Sequence, residues 1–212
     1  MKVLSSKEML EKLEEFYPII LKTSTVIKNN TNKNNFRFAF DSDGNLFYMT
    51  NKIKKFKHCG VGDISAYKFE LINNRYYEIK IGNLRYQYDK TLAIESKLLF
   101  IRDNFVNNDY QNKSVGSYWL KFFEEIAHHL SLTLLGGNFC PHNGITEENL
   151  KKYYEKNGFN VYVDENNDKK IIKKINEETI CKIKENSLNY RDFIIYESIV
   201  KFGKQQDLAQ EI

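Results

Sequence analysis

Residues 111 to 117 have the residue types that an anion-binding loop needs. They lie between a dense apolar stretch, residues 98 to 106, and an amphipathic segment, so they are predicted to join a buried strand to a helix. The first N–H groups of a helix have no intrahelical partner, and the helix dipole favours negative charge there. Gly116 allows close backbone approach, while Lys113 and Gln111 add a charge and a donor. The loop is therefore suited to a pyrophosphate; an ordinary strand-to-helix turn is the alternative.

A second candidate segment is the run from Tyr153 to Phe159, at the end of a predicted helix over residues 146 to 157. Thr146 is an N-cap candidate, and Gly158 has the position of a glycine that ends a helix. A tyrosine hydroxyl here can donate a proton in a reaction. The alternative is that the two tyrosines, Tyr153 and Tyr154, only pack in the core.

Both segments resemble motifs of one enzyme family. Gln111-Asn112-Lys113-Ser114-Val115-Gly116 resembles the Q/R-x-x-G-x-G/A signature with which GNAT acetyltransferases hold the pyrophosphate of acetyl-CoA. The run from Tyr153 to Phe159 resembles the family's aromatic-Tyr-Glu-Lys-x-Gly-Phe segment. The resemblance covers roughly residues 98 to 163. It departs from the family pattern at Ser114, where glycine is usual, and at Glu147 and Leu150, where Asn and a small residue are usual.

The resemblance implies a site and a reaction, with acetyl-CoA as co-substrate. The residues expected to bind it are Phe105, Val106, Gln111, Asn112, Lys113, Ser114, Val115, Gly116 and Ser117. Tyr154 is expected to protonate the departing thiolate, and a backbone N–H between Asp103 and Val106 to stabilise the oxyanion. Asp103 is the first candidate for the base. Glu95 and His142 are alternatives, whereas His128 and His129 are expected to be structural or exposed.

The coarse pattern predicts one mixed α+β domain. Apolar alternation and turn residues favour strands over the middle of the chain, and three- and four-residue spacing favours helices at both ends. The expected helices are 6 to 22, about 117 to 130, 146 to 157 and a tail from 177. The expected strands are a hairpin over Phe36–Met49, then 67 to 72, 75 to 81, 84 to 89, 98 to 106, 132 to 135, 159 to 163 and 169 to 175. Turns are expected at Asn73-Asn74, Gly82-Asn83 and Gly136-Gly137.

Together these elements predict the fold class that the resemblance also implies. We expect a GNAT-like, mixed and mostly antiparallel central sheet flanked by helices, with a C-terminal helical extension. Residues 1 to 176 would form the acyl-CoA-binding domain, and residues 177 to 212 the extension packed on it. The chain has 212 residues, of which 42% are hydrophobic, which is enough for a substantial core.

Charge, cysteine spacing and apolar runs bear on which partners the protein is expected to bind. The net charge is +4, with lysines interleaved with acidic residues, so nucleic acid is not the expected partner. The three cysteines are far apart and form no CxxC pair, which fits a reducing compartment. Their spacing is atypical of a zinc site, so we expect no metal. No apolar run approaches the length of a membrane span, so we expect a cytoplasmic protein.

Three functions remain open on the sequence. The first is an N-acetyltransferase that acts on a small-molecule or protein amine. A homodimer is one option for its assembly. The second is a non-catalytic acyl-CoA-binding or sensing module, motivated by Ser114 and by Glu147 in place of Asn. The third is a nucleic-acid-associated protein that uses its basic loops.

Overall fold

The structure is a computed structural model that describes residues 36–41, 43, 45–73, 75–90, 97–141 and 144–176. The predicted helix over residues 6 to 22 and the predicted helical tail from residue 177 lie outside the described residues. Two of the candidate bases, Glu95 and His142, also lie outside them.

The described residues form one eight-stranded sheet with two α-helices. Its order is β1-β2-β3-β4-β5-β6-β8-β7, and every neighbouring pair is antiparallel except β5 with β6. The expected α+β class with a mostly antiparallel sheet flanked by helices is therefore confirmed. The strands are β1 (Phe36–Phe40), β2 (Leu46–Lys55), β3 (Cys59–Ile72), β4 (Arg75–Asp89), β5 (Leu98–Val106), β6 (Leu134–Asn138), β7 (Asn160–Val163) and β8 (Lys169–Lys174).

The helices are α1 (Val115–His129) and α2 (Glu147–Lys156), and a short 3-10 helix spans Asn108–Tyr110. Helix α1 begins two residues before the predicted start. Helix α2 has the predicted ends: the Thr146 hydroxyl accepts a hydrogen bond from Asn149 N at 3.3 Å, and Gly158 has a φ of +79°.

The predicted turn at Gly82-Asn83 is wrong. Strand β4 runs through both residues, and the register with β3 shifts there, leaving Ile81 as a bulge between two paired positions. A side chain at residue 82 would place its Cβ 2.3 Å from Phe105 O and 2.6 Å from the Trp119 ring. This glycine therefore permits close packing of α1 and β5 rather than a turn.

Gly136 and Gly137 were likewise predicted to end a strand, but both lie inside β6. A Cβ on Gly137 would lie 3.1 Å from the Cβ and the carbonyl oxygen of Ile101, and one on Gly136 would lie 3.2 Å from Ile171 O. The two glycines let β6 fit closely between its neighbours. Small residues in a strand signal close approach as well as turns, so the sequence alone did not separate these readings.

The core lies between the sheet and α1. Tyr86 of β4 packs edge-on against Phe123 of α1, with ring centroids 5.7 Å apart, and Phe47 of β2 packs in the same way against Tyr118. Trp119, Leu120 and Phe123 are fully buried, as the apolar stripe of this helix predicts. These contacts fix which face of each strand points towards α1.

Two buried ion pairs fix the rotation of α1 against the edges of the sheet. Arg37 Nη2 of β1 lies 2.6 Å from Glu125 Oε2, and Lys173 Nζ of β8 lies 2.7 Å from Glu124 Oε1. Burial raises the pKa of both carboxyl groups, against the lowering effect of their cationic partners. Neighbouring residues of one helix thus reach β1 and β8, which lie towards opposite ends of the strand order.

Candidate functional site

The site begins where β5 and β6 stop pairing. Their parallel register runs from Leu98–Leu134 to Ile101–Gly137 and ends there. Strand β5 then continues to Val106, paired with β4 alone, while β6 continues to pair with β8. Among the described strands, the edge of β5 that faces this gap has no partner over residues 102 to 106. Backbone N–H and C=O groups along such an edge are available to a ligand.

The start of α1 lies just beyond the end of β5. Its N-cap residue, Ser114, is in the left-handed region with a φ of 66°, and its side chain makes no capping hydrogen bond. Asn112 has a φ of 61°, so left-handed residues alternate with ordinary ones through the loop. Loops of this kind turn successive N–H groups into one concavity. The uncapped helix start and this loop therefore have the backbone conformation that an anion-binding site would need, and anion binding here stays a prediction.

The loop side chains have partners within the protein. The Gln111 amide donates to Asn108 Oδ1 at 2.9 Å, which holds it against the 3-10 helix. Lys113 Nζ lies 3.1 Å from Asp43 Oδ2, in the turn between β1 and β2. Both side chains of this ion pair are partly exposed, at 33% for Lys113 and 55% for Asp43. An incoming anion would therefore compete with Asp43 for the lysine.

Gly116 is in contact with Tyr153. A Cβ on Gly116 would lie 2.8 Å from Tyr153 Oη, so the glycine makes room for this hydroxyl in the first turn of α1. The Tyr153 hydroxyl is buried and has no hydrogen bond of good geometry to any described residue. Burial raises the pKa of Tyr153 well above its usual value. A buried, protonated hydroxyl thus lies beside the helix start.

Tyr154 is packed more tightly than its neighbour. Its ring lies between Phe139, with centroids 6.3 Å apart, and Phe159, with centroids 5.7 Å apart, and the residue is 5% exposed. Burial raises the pKa of Tyr154 to about 12, while the side chain of Asn104 acts in the opposite direction. Asn104 acts on Tyr153 in the same way. The amide of Asn104 therefore lies near both tyrosine hydroxyls.

Asp103 lies on the other side of the sheet from these tyrosines. Asn104 pairs with Leu84, whose buried side chain is on the α1 face, and neighbouring residues of a strand point to opposite faces. Asp103 is exposed and lines an open cleft of about 840 Å³ on the far face. The predicted base, Asp103, thus points to one face of β5, whereas its neighbour Asn104 points to the face on which the predicted acid, Tyr154, lies.

The remaining predicted contacts differ in accessibility. Val115 is 2% exposed, so its side chain belongs to the core and only its backbone can contact a ligand. Phe105 is 42% exposed, and Val106 packs against the core while its carbonyl accepts a long hydrogen bond from Gln111 Nε2 at 3.4 Å. Asn112 is exposed, and Ser117 is partly buried in the first turn of α1.

Sequence reasoning missed three residues of the site. Asn104 was treated only as backbone, Tyr153 only as core, and Asp43 as part of a turn. The strand alternation that starts from the buried Leu99 and Ile101 does not locate Asn104, because β5 has a bulge at Arg102 that shifts every later side chain to the other face. Asp43 reaches the loop through tertiary contacts that no local spacing encodes.

The described residues contain no group of three or more His, Cys, Asp or Glu side chains arranged to hold a metal ion. His128 and His129 lie in the last turn of α1, with ring centroids 6.1 Å apart. None of the described helices is long and apolar enough to cross a membrane.

No protein-family model matches the chain, and no curated protein matches it. Solved structures do match. The PaiA N-acetyltransferase of Thermoplasma acidophilum in complex with coenzyme A is 18% identical with a TM-score of 0.37, and the match covers 54% of this chain and 60% of that one. The GNAT domain of S. lividans PAT is 10% identical with a TM-score of 0.47, covering 66% and 96%.

A third similar structure is Arabidopsis thaliana Naa50 in complex with a bisubstrate analogue. It is 19% identical with a TM-score of 0.38, and the match covers 52% of this chain and 70% of that one. The chain thus spans less than two thirds of the Thermoplasma protein. All three proteins are similar to this chain at identities below 20%.

The backbone at Ser114 yields a prediction about stability. Glycine adopts a φ of +66° without the clash that a Cβ causes, so Ser114→Gly should raise the free energy of unfolding by about 0.5–1 kcal/mol. The matched control is Ser117→Gly inside α1, which should lower it by about 0.5 kcal/mol through helix propensity. Urea denaturation of both variants measures the difference. Equal destabilisation by the two changes would contradict the left-handed conformation at Ser114.

Proposed function

We propose that this protein is an N-acetyltransferase that transfers an acetyl group from acetyl-CoA to an amine. The observation that carries the proposal is the gap between β5 and β6, which has an open strand edge on one side, a helix start at its end and two tyrosine hydroxyls beside it. The resemblance of residues 111–116 and 153–159 to GNAT motifs supports the same function, and the similar solved structures include complexes with coenzyme A.

The pyrophosphate of acetyl-CoA would bind the start of α1. Backbone N–H groups of Val115, Gly116 and Ser117 lie in the first turn, where they have no intrahelical partner. The dipole of a 15-residue helix adds to their attraction for negative charge. Lys113 would contribute its charge after separating from Asp43. The Tyr153 hydroxyl would supply a further donor once the ligand is in place.

The acyl end would lie along the open edge of β5. A backbone N–H between Asp103 and Val106 would donate to the thioester carbonyl and would hold the oxyanion of the tetrahedral intermediate more strongly than the ground state. Binding of the pyrophosphate at one end and the carbonyl at the other would fix the reactive carbon in the gap. Such positioning removes much of the entropic cost of the bimolecular reaction.

Tyr154 is the proposed acid. The amine nitrogen attacks the carbonyl carbon, the C–S bond breaks, the nitrogen loses its extra proton to water, and the thiolate takes the phenolic proton. With a pKa of about 12, Tyr154 keeps its proton at neutral pH, and a thiolate with a free pKa of roughly 8.5 is a weaker base than the phenolate it would create. The proton transfer itself is therefore unfavourable in free energy, and Asn104 makes it less so by stabilising the phenolate. Solvent then returns a proton to Tyr154.

Asp103 remains the proposed base, working from the opposite face. Its exposed carboxylate lies on the cleft side of β5, from which an amine would reach the gap without crossing the cofactor. The ammonium proton would pass to Asp103 directly or through water, which leaves the nitrogen lone pair free to attack.

A binding module without catalysis is the second candidate. The ion pair between Lys113 and Asp43 and the burial of Tyr154 both favour it, because they leave the charge and the acid less available to a ligand. The two candidates agree on the cofactor and differ on turnover.

Replacement of the proposed acid separates these two functions. Tyr154→Phe should leave the affinity for acetyl-CoA within about three-fold, since ring packing is retained, and should slow acetyl transfer about 10²-fold. Calorimetry measures binding, and release of free thiol with a panel of primary amines measures transfer. Tyr162→Phe is the matched control, because Tyr162 is 44% exposed on β7.

Unchanged transfer in Tyr154→Phe would remove Tyr154 from the mechanism. Acetyl-CoA binding by the wild type without transfer to any amine would favour the binding module. Absence of binding at millimolar acetyl-CoA would contradict both candidates.

The ion pair at Lys113 gives a second test of the cofactor site. Asp43→Asn should tighten acetyl-CoA binding by about two- to five-fold at low salt, because it frees Lys113 and removes a negative charge beside the anion site. Glu165→Gln, in the turn between β7 and β8, changes the net charge equally and should have no effect. Calorimetric titration at two salt concentrations measures both. Weaker binding in Asp43→Asn would contradict a pyrophosphate beside Lys113.

A further inference from the structure

The face of the sheet opposite α1 carries a row of charges in register. Lys52 of β2 pairs with Asp63 of β3, Asp63 pairs with Arg85 of β4, and Arg85 pairs with Asp103 of β5. Positive and negative residues therefore alternate across four neighbouring strands. Adjacent strands lie about 4.8 Å apart, so the backbone positions that carry neighbouring charges of the row are separated by about this distance, which a small amino compound can span.

These side chains line one cleft. Tyr86, next to Arg85, packs against α1, so Arg85 points to the opposite face, and its cross-strand partners share that face. The cleft of about 840 Å³ is lined by all four residues of the row and also by Lys54 and Arg102. Its charged lining thus holds four cations and two carboxylates, an excess of positive charge over the negative.

Most of the row is not neutralised within the protein. Arg85 and Asp103 are directly opposite each other on the adjacent strands β4 and β5. Neither of their charged groups lies within 4 Å of an oppositely charged group of the described residues. Asp63 is the exception in this region, since it accepts hydrogen bonds from Ser65 Oγ and from Asn83 Nδ2, the latter at 3.2 Å. Directly opposed charges that do not pair with each other are available to a ligand of complementary charge.

The acidic end of the row lies at the gap between β5 and β6. Asp103 comes two residues after Ile101, the last residue of β5 that pairs with β6, and directly before Asn104, which faces the tyrosines. A group bound to Asp103 is therefore next to the open strand edge. The cationic Arg85 lies one strand further from the gap.

From this arrangement we infer that the acceptor is an amine that also carries a carboxylate, such as an amino acid or a short peptide with a free N-terminus. The inference rests on the proposed acetyl transfer for its reaction, and on the charge row alone for its binding. The ammonium group binds Asp103, which receives its proton, and the carboxylate binds Arg85. The amine then attacks the thioester carbon, and the products are the N-acetylated carboxylate, coenzyme A and a proton.

Binding measurements with CoA present separate this inference from turnover. Glycylglycine carries both charges. Glycylglycine amide carries only the positive charge, and N-acetylglycylglycine carries only the negative one. Titrated into the protein saturated with CoA, glycylglycine should bind at least about ten-fold more tightly than either single-charge compound. O-phosphoethanolamine tests phosphate in place of carboxylate, and a single-stranded oligonucleotide tests a polyanion.

Two variants locate the charges. Arg85→Gln should bring the affinity for glycylglycine down to that for its amide, and Asp103→Asn should bring it down to that for N-acetylglycylglycine. Both should leave the dissociation constant for CoA unchanged. Lys152→Gln, on the exposed side of α2, is the charge control and should change neither value.

Equal binding of the three peptides, or none, overturns the inference while CoA binding upholds the cofactor site. Preference for O-phosphoethanolamine overturns the carboxylate assignment. Oligonucleotide binding that Arg85→Gln weakens would assign the cleft to nucleic acid instead. If CoA does not bind, the proposed function fails, and glycylglycine titrated into the protein alone still decides the charge row.

Discussion

The rest of the site depends on the separation of β5 from β6. Close approach at Gly137 holds the two strands together only as far as Ile101, after which each follows its other neighbour. The sheet therefore stays continuous at one end and opens at the other without any loss of core. An open strand edge inside a sheet is costly unless water or a ligand satisfies it. The proposed cofactor site is the region in which that edge, the start of α1 and the tyrosines of α2 come together.

One short stretch of β5 links the two faces of this opening. Asn104 acts on Tyr153 and Tyr154 on the helix side, and Asp103 lines the charged cleft on the other side. The bulge at Arg102 sets this assignment, since without it each side chain would point to the opposite face. A donor and an acceptor substrate approaching from opposite faces would meet beside the same three or four residues. This arrangement puts the proposed base, Asp103, and the proposed acid, Tyr154, on opposite faces of the sheet, where they do not contact each other.

Much of this could be predicted from sequence, and the failures have physical causes. The apolar stripe of α1, the cap at Thr146 and the αL glycine at residue 158 are local signals, and they gave the correct elements. Glycines inside β4 and β6 were misread as turns because their role, close packing against Trp119 and Ile101, depends on residues distant in sequence. The loop at residues 111–117 was predicted from its local chemistry and from its resemblance to a GNAT motif, and its role stays a prediction. Its partner Asp43 and the contact of Tyr153 with Gly116 depend on tertiary packing, and the charge row depends on strand register; local spacing specifies none of them.

We propose that the open edge of β5 and the start of α1 bind one acyl-CoA molecule together. Hydrogen exchange of the backbone amides, measured with and without saturating CoA, tests this directly, because both regions have N–H groups that only a ligand or water can satisfy. We expect slower exchange in residues 103–106 and in residues 115–117 at the same CoA concentration, with the exposed side of α2 unchanged. Protection at only one of the two regions, or at neither while CoA binds elsewhere, would contradict the account.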